Sequence, residues 1–204
     1  MQELSNIGVS QKVYFDNKNL LAKTPLGKNT IDMKSKSKKL EQYLVHDIDD
    51  YKSIQKFLKK SAPIIGFIVH RFNTLEECLN MTICQWINSR SDTMGLLVIH
   101  KMSYSSKVEL LNRISSQFKN DTERHIKIQK ELILNLKGTG RLRNAVIHAE
   151  WENTDFEGYT HVNIKINESG INQEYLQFDE NSLTNILELI NKTIALFENY
   201  WDEI

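Results

Sequence analysis

The residues best suited to chemistry lie together late in the chain, in the segment RLRNAVIHAEW from Arg141 to Trp151. Arg143 carries a guanidinium that stays charged and can bind two oxygens of a phosphate or carboxylate at once. His148 can take up and release a proton near neutral pH, and Asn144, four residues before it, can share its helix face. These residue types predict an anion-binding group next to a proton-transfer group.

On a helix, the three polar residues lie opposite the apolar face. Arg143, Asn144 and His148 fall at about 100°, 200° and 240° from Leu142, so Arg143 and His148 diverge by about 140°. One helix cannot easily direct both side chains at the same atom. Ile147 lies between them, and a second copy related by a two-fold axis would bury it. We therefore expect a homodimer that brings Arg143 and His148 from two copies into one cleft.

Two acidic pairs bear on this interpretation. Glu76 and Glu77, on the first long predicted helix, are candidate polar residues of the cleft, and the alternative for both is a solvated surface. Arg143 also has an alternative, because it can pair on the surface with Glu150 or Glu152. The spacing alone leaves these alternatives open.

The bulk composition argues against several classes of function. Lys plus Arg equals Asp plus Glu at 26 each in 204 residues, so no overall field draws the chain to nucleic acid or to a membrane. No apolar run approaches the roughly 20 residues of a membrane span, and no secretory signal is evident. We expect a soluble cytoplasmic protein without membrane contact.

Metal and cofactor motifs are also missing from the sequence. Cys78 and Cys84 are six residues apart, which on a helix is too far for a disulfide or a shared metal ion. The six histidines lack the spacing of a zinc site. The segment GTGRLR lacks the third glycine and the preceding strand of a nucleotide-binding loop. The sequence therefore predicts no metal and no cofactor.

Apolar spacing predicts four helical regions. The chain reads helical from about Asp47, with Pro63 marking a break or a first turn, and SRSD at 89–92 with Gly95 closes the first region. A second helix begins near Ser103 to Ser106. The third covers about 122–151, where two glycines predict a kink or restart just before Arg141.

The C-terminal helix gives the strongest periodic pattern. It is predicted to begin near Asp179 or Ser182, and its apolar residues alternate steps of four and three: Leu183, Leu187, Ile190, Ile194, Phe197 and Trp201. The alternation of YTHVNIKI predicts instead a β-hairpin over about 159–178, with its turn at Asn167 to Gly170. The predicted fold is mainly all-α, an antiparallel four- to five-helix bundle over 46–204 with a small β-hairpin insertion before the C-terminal helix.

Residues 1–45 form a lysine-rich N-terminal arm or extension that ends in KSKSKK, with a short strand predicted at 13–15. Such a basic arm is either solvated or in contact with RNA phosphates.

The helix order and the motif together resemble the HEPN superfamily. The resemblance rests on three segments: FNTLEECLN in the first helix, MSYSSKVELLNRI in the second, and Arg143, Asn144 and His148 in the third, followed by Trp151. The family signature is an arginine, commonly followed by a polar residue, and a histidine four to six positions later. The resemblance covers about residues 50–204.

The resemblance implies a helical homodimer whose two motifs line a shared cleft. Many relatives are metal-independent endoribonucleases that act as toxins or in phage defence, while others have lost activity and serve as binding or scaffolding domains. For this chain, an antitoxin or regulatory protein is a further expected partner. By this resemblance Arg143 and His148 are catalytic, Asn144 supports them, and Ile147, Glu76, Glu77 and Trp151 belong to the cleft or the interface. RNA is the expected substrate.

Two alternatives remain open at the level of sequence. One is a catalytically silent dimer that binds nucleotide, RNA or a protein partner through the same cleft. The other is a plain interaction bundle in which the polar residues are surface groups.

Overall fold

The computed structural model describes residues 31, 33–40, 51–117, 122–168 and 170–201, which form five helices and four strands. The helices are α1 (Tyr51–Ile87), α2 (Asp92–Ile99), α3 (Tyr104–Gln117), α4 (Glu123–His148) and α5 (Glu180–Trp201). The strands are β1 (Ser35–Lys39), β2 (Glu150–Thr154), β3 (Tyr159–Asn167) and β4 (Gly170–Gln177). The fold is mainly helical, as predicted, with a small antiparallel sheet in the order β1-β4-β3-β2. None of the described helices is long and apolar enough to cross a bilayer.

Helix α1 supplies much of the core because it contacts each of the other four helices. Its buried stripe follows the predicted spacing through Ile68, Phe72, Leu75 and Leu79. Pro63 lies inside this helix and does not break it. Proline removes the hydrogen bond to the carbonyl of Lys59, but Lys59 is exposed, so water can satisfy that carbonyl.

Helix α5 begins where the sequence predicts. The Asp179 carboxylate accepts a hydrogen bond from the Ser182 backbone N–H at 2.7 Å, which caps the first turn. Half of the periodic apolar residues are buried, namely Leu183, Ile190 and Phe197, and the other half lie at the edge of the core. The heptad-like spacing thus marks the whole contact stripe, including its margins.

The sequence predicts that the first helix ends at Gly95, but this glycine lies inside a second helix, α2. Helix α1 ends at Ile87, and the Ser91 hydroxyl caps α2 by accepting the Thr93 N–H. A Cβ atom at Gly95 would lie 2.5 Å from the Cα of Cys84. The glycine therefore permits close packing of α2 on α1.

The kink predicted just before Arg141 is also absent, since α4 runs without interruption across Gly138 and Gly140. A Cβ atom at Gly140 would lie 2.7 Å from Cε1 of Tyr104. The glycine is thus needed for the contact of α4 with α3, and this packing compensates for its weak helix propensity. Helix α4 ends at His148 rather than near Trp151, because Ala149 takes an extended conformation and starts the path into β2.

The predicted hairpin of residues 159–178 corresponds to β3 and β4, with Gly170 at positive φ beside the turn. The sheet has two further strands. Ser35–Lys39, assigned from sequence to the N-terminal arm, pairs antiparallel with β4, and Glu150–Thr154 pairs with β3. The strand predicted at 13–15 and the helix start predicted near Asp47 lie outside the described residues.

Candidate functional site

A cleft of about 840 Å³ opens among helices α1, α3 and α4, and we call it the arginine cleft. Its lining combines two aromatic residues, apolar residues, two serines and five charged residues. The lining residues are Phe72, Glu76, Ser103, Tyr104, Ser105, Val108, Glu109, Leu134, Lys137, Gly140, Arg141, Arg143 and Asn144. Its volume is in the range of small-molecule sites.

Arg143 is the most unusual group of the cleft. It is half-buried, and its guanidinium carbon lies 5.1 Å from the centroid of the Phe72 ring, a cation–π contact. Its Nε is buried and has no hydrogen-bond acceptor among the described residues. No described carboxylate lies within ion-pair distance of Arg143. Glu150, which the sequence offered as a surface partner, instead has its Oε2 atom 3.0 Å from Nδ1 of His161. A guanidinium cannot lose its charge, so the site is suited to an incoming anion.

Asn144 sets the orientation of that arginine. Its Oδ1 accepts a hydrogen bond of 3.1 Å from a terminal nitrogen of Arg143, and Asn144 itself is exposed at the cleft. The amide therefore contacts Arg143, whereas the spacing along the helix had placed Asn144 on the same face as His148.

His148 lies elsewhere on the same helix. It is the last residue of α4, it is exposed, and it does not line the arginine cleft. Five residues of helix separate it from Arg143 by about 7.5 Å along the axis. One copy of the chain thus presents the arginine inside the cleft and the histidine outside it.

Ile147 and Trp151 are not cleft-lining residues. Ile147 is half-buried on α4. The Trp151 ring lies 5.3 Å from the ring of Phe178, and its indole N–H donates to the Val146 carbonyl at 3.0 Å. Trp151 therefore joins β2 to the core.

Of the two adjacent glutamates of α1, only one lines the arginine cleft. Glu76 lines the cleft, and its Oε1 accepts a hydrogen bond of 2.7 Å from Nζ of the buried Lys107. Glu77 is exposed and does not line the cleft. Only one of the two predicted candidates is therefore brought near Arg143.

Several lining residues were missed by sequence reasoning. Lys137 adds a cation to those of Arg141 and Arg143, and Tyr104 packs 4.7 Å from the Phe72 ring with its hydroxyl donating to the Leu136 carbonyl at 3.0 Å. Burial raises the pKa of the Tyr104 hydroxyl well above its usual range. A signal for this wall was present in Gly140, a small residue that leaves room for a ring from a neighbouring helix.

The charges of the lining favour a negatively charged ligand. Lys137, Arg141 and Arg143 face two carboxylates, and both carboxylates already have cations nearby. Glu76 is held by Lys107, and Glu109 lies 3.5 Å from Arg113 and 3.8 Å from Lys137. The guanidinium of Arg143 is left without a carboxylate of its own.

The described part of the chain contains no group of three or more His, Cys, Asp or Glu residues arranged to hold a metal ion. Cys78 and Cys84 are both free thiols, and burial raises the pKa of each.

Comparison with known proteins adds no relative to this picture. No family model matches the chain, and no curated protein and no solved structure is significantly similar to it.

Proposed function

We propose that the protein is a metal-independent endoribonuclease of the HEPN type that cleaves RNA in a cleft shared by two copies of the chain. The observation that carries the proposal is the half-buried Arg143, which lines an open cleft without a carboxylate partner. An unpaired guanidinium held by Asn144 and Phe72 is pre-organised for a phosphate, because its donors already point in fixed directions.

The reaction needs two proton transfers and a positive group. Attack by the ribose 2′-hydroxyl requires a base, departure of the 5′-oxygen requires an acid, and the transition state gathers negative charge on the phosphoryl oxygens. Arg143 binds those oxygens, and His148 transfers a proton at neutral pH. The expected product carries a 2′,3′-cyclic phosphate.

A dimer would bring together Arg143 and His148, which are separated within one copy. His148 lies outside the cleft that contains Arg143, so a second copy that docks on the exposed side of α4 would bring its own His148 to the first copy's arginine. The half-buried Ile147 would then lie in that interface. This arrangement corresponds to an antiparallel helical bundle that dimerises through its third major helix.

The cellular role that follows is that of a toxin or anti-phage effector in the cytoplasm, restrained by an antitoxin or regulatory protein. This part of the proposal depends on the resemblance of the motif and the helix order to the HEPN superfamily.

A mixing experiment tests both the chemistry and the shared cleft. Purified Arg143→Ala and His148→Ala proteins are each expected to be inactive on a mixed RNA pool in EDTA. When they are mixed at equal concentration and allowed to exchange subunits, half of the dimers hold one intact arginine–histidine pair. The mixture should regain about a quarter of wild-type activity.

A mixture that stays inactive although subunits exchange would place both residues of each site in one copy. Wild-type activity in both single variants would exclude the proposed reaction. Analysis of the cleaved 3′ ends for the cyclic phosphate identifies 2′-hydroxyl attack.

A catalytically silent dimer that binds nucleotide, RNA or a protein partner is the second candidate. The position of His148 outside the cleft favours it, because the described contacts of one copy join no proton-transfer histidine to Arg143. This second function would be identified if wild-type protein binds RNA but does not cleave it, and if Arg143→Ala abolishes the binding.

A further inference from the structure

A carboxylate shares the arginine cleft with Arg143. Glu76 follows Phe72 by four residues on α1, so the two side chains lie on the same side of that helix. The Phe72 ring carries the Arg143 guanidinium, and Glu76 lines the same cleft. No ion pair joins Glu76 to Arg143 among the described contacts. The carboxylate and the guanidinium thus line the same cleft without pairing with each other.

A hydrogen bond from Lys107 holds the Glu76 carboxylate in place. Buried Lys107 donates to Oε1 at 2.7 Å, and no described group donates to the second carboxylate oxygen. Glu109, the other carboxylate of the lining, has one oxygen 3.5 Å from Arg113 and the other 3.8 Å from Lys137. Glu76 is therefore the cleft carboxylate with an oxygen available to a ligand.

We propose that Glu76 accepts the hydrogen bond of the ribose 2′-hydroxyl and takes its proton during cleavage. This role rests on the proposed ribonuclease function, which assigns the phosphate to Arg143. In RNA the 2′-hydroxyl is next to the 3′-phosphate ester, so a phosphate bound to the Arg143 guanidinium holds that hydroxyl within the cleft that Glu76 also lines. A carboxylate there distinguishes RNA from DNA, because only RNA supplies the donor.

The RNA, Glu76 and the second copy's His148 account for every bond and proton of this step. The 2′-oxygen forms a bond to phosphorus as its proton moves to Glu76, and the bond from phosphorus to the 5′-oxygen breaks. Protonated His148 of the second copy gives its proton to the departing 5′-oxygen. Glu76 and His148 thereby divide the base and acid roles, with no redox change.

The test compares Glu76→Gln with Glu77→Gln, its exposed neighbour outside the cleft. Glutamine keeps the oxygen that accepts from Lys107 and removes the proton acceptor. Single-turnover cleavage of a labelled RNA in EDTA should fall at least about 100-fold for Glu76→Gln, since a general base contributes that much or more. Cleavage by Glu77→Gln should stay within about two-fold of wild type.

Binding distinguishes a catalytic from a structural role. The probe is the same oligonucleotide with a 2′-deoxyribose at the cleavage position, measured by fluorescence anisotropy. Glu76→Gln should bind this probe as well as wild type does, because the deoxy probe makes no bond to Glu76. Glu76→Asp, which keeps the carboxylate but withdraws it by one methylene, should recover part of the lost rate.

Three outcomes would overturn the proposal. Cleavage by Glu76→Gln at the wild-type rate, while Arg143→Ala is inactive, removes Glu76 and leaves the ribonuclease standing. Equal loss of cleavage and of deoxy-probe binding assigns Glu76 a structural role. A wild-type protein that cleaves no RNA removes the proposed function and the role of Glu76 with it.

Discussion

The arginine cleft and the packed contact of α4 with α5 both bury nitrogen atoms without hydrogen-bond partners, and the two regions differ in the chemical group that carries the nitrogen. In the arginine cleft it is Nε of Arg143. At the packed contact of α4 with α5 it is the ring of His125, which is 1% exposed and lies 5.3 Å from the ring of Tyr200. Neither nitrogen of this imidazole has a partner within the described ranges.

The difference between the two regions is one of charge and access. An imidazole can be buried in its neutral form, at the cost of unmade hydrogen bonds. A guanidinium keeps its charge, and burial of an unpaired charge is far more costly. Arg143 opens on a cleft, so an anion that enters can offset this cost, whereas His125 is closed off. Unsatisfied polar atoms therefore indicate a ligand site only where the group must stay charged and the site is open.

Removal of the charge in the cleft should give the largest effect. In Arg143→Leu the apolar side chain still packs on Phe72 but cannot bind phosphate, so RNA cleavage should fall at least about 100-fold. The free energy of unfolding should stay the same or rise by about 1 kcal/mol, because an unpaired half-buried cation is gone.

Chemical denaturation and a cleavage assay with labelled RNA measure the two quantities. Arg90→Ala, a change at an exposed arginine between α1 and α2, is the matched control and should alter neither. A large loss of stability in Arg143→Leu would show instead that the arginine holds the fold together.

The sequence predicted the helices better than the surroundings of the motif. Local spacing is enough to place Ile68, Phe72 and Leu75 on one buried stripe, and a cap is enough to start α5. The helical projection of α4 assumed one core side and one outer side. In the structure α4 contacts α1, α3 and α5, so the side that carries Arg143 is partly covered by the same chain.

The missed features depend on contacts distant in sequence. Ser35–Lys39 has no apolar alternation, and its strand exists because β4 supplies hydrogen bonds from about 140 residues away in the chain. Trp151 was placed on the motif helix, yet the chain turns extended at Ala149, and the indole joins the core. The spacing from Phe72 places Glu76 beside the buried stripe of α1 and Glu77 away from it. The ion pair of Glu76 with Lys107 depends on the position of α3, which the sequence does not give.

A smaller effect should come from the wall between α3 and α4. Gly140→Ala places a Cβ atom 2.7 Å from the Tyr104 ring, whose hydroxyl is anchored to the Leu136 carbonyl. Overpacking should lower the free energy of unfolding by about 1 to 3 kcal/mol. The higher helix propensity of alanine should offset up to about 1 kcal/mol of this loss.

Gly66→Ala is the matched control, because a Cβ atom there meets nothing within 4 Å. It should stabilise the protein by up to about 1 kcal/mol. Thermal and denaturant unfolding of the two variants should therefore move in opposite directions. Stabilisation by both substitutions would mean that α3 and α4 can separate without cost, and that the cleft wall is not held by this contact.

The smallest effect is expected in the closed region. His125→Leu replaces a buried imidazole that has no described hydrogen bond with an apolar side chain, so the loss of ring packing on Tyr200 is offset by relief of two unsatisfied nitrogens. The free energy of unfolding should change by less than about 1.5 kcal/mol. RNA cleavage should be unchanged, since His125 does not line the arginine cleft. A loss of cleavage with intact stability would contradict the distinction between the two regions, because a side chain closed off from the arginine cleft would then affect the reaction at Arg143.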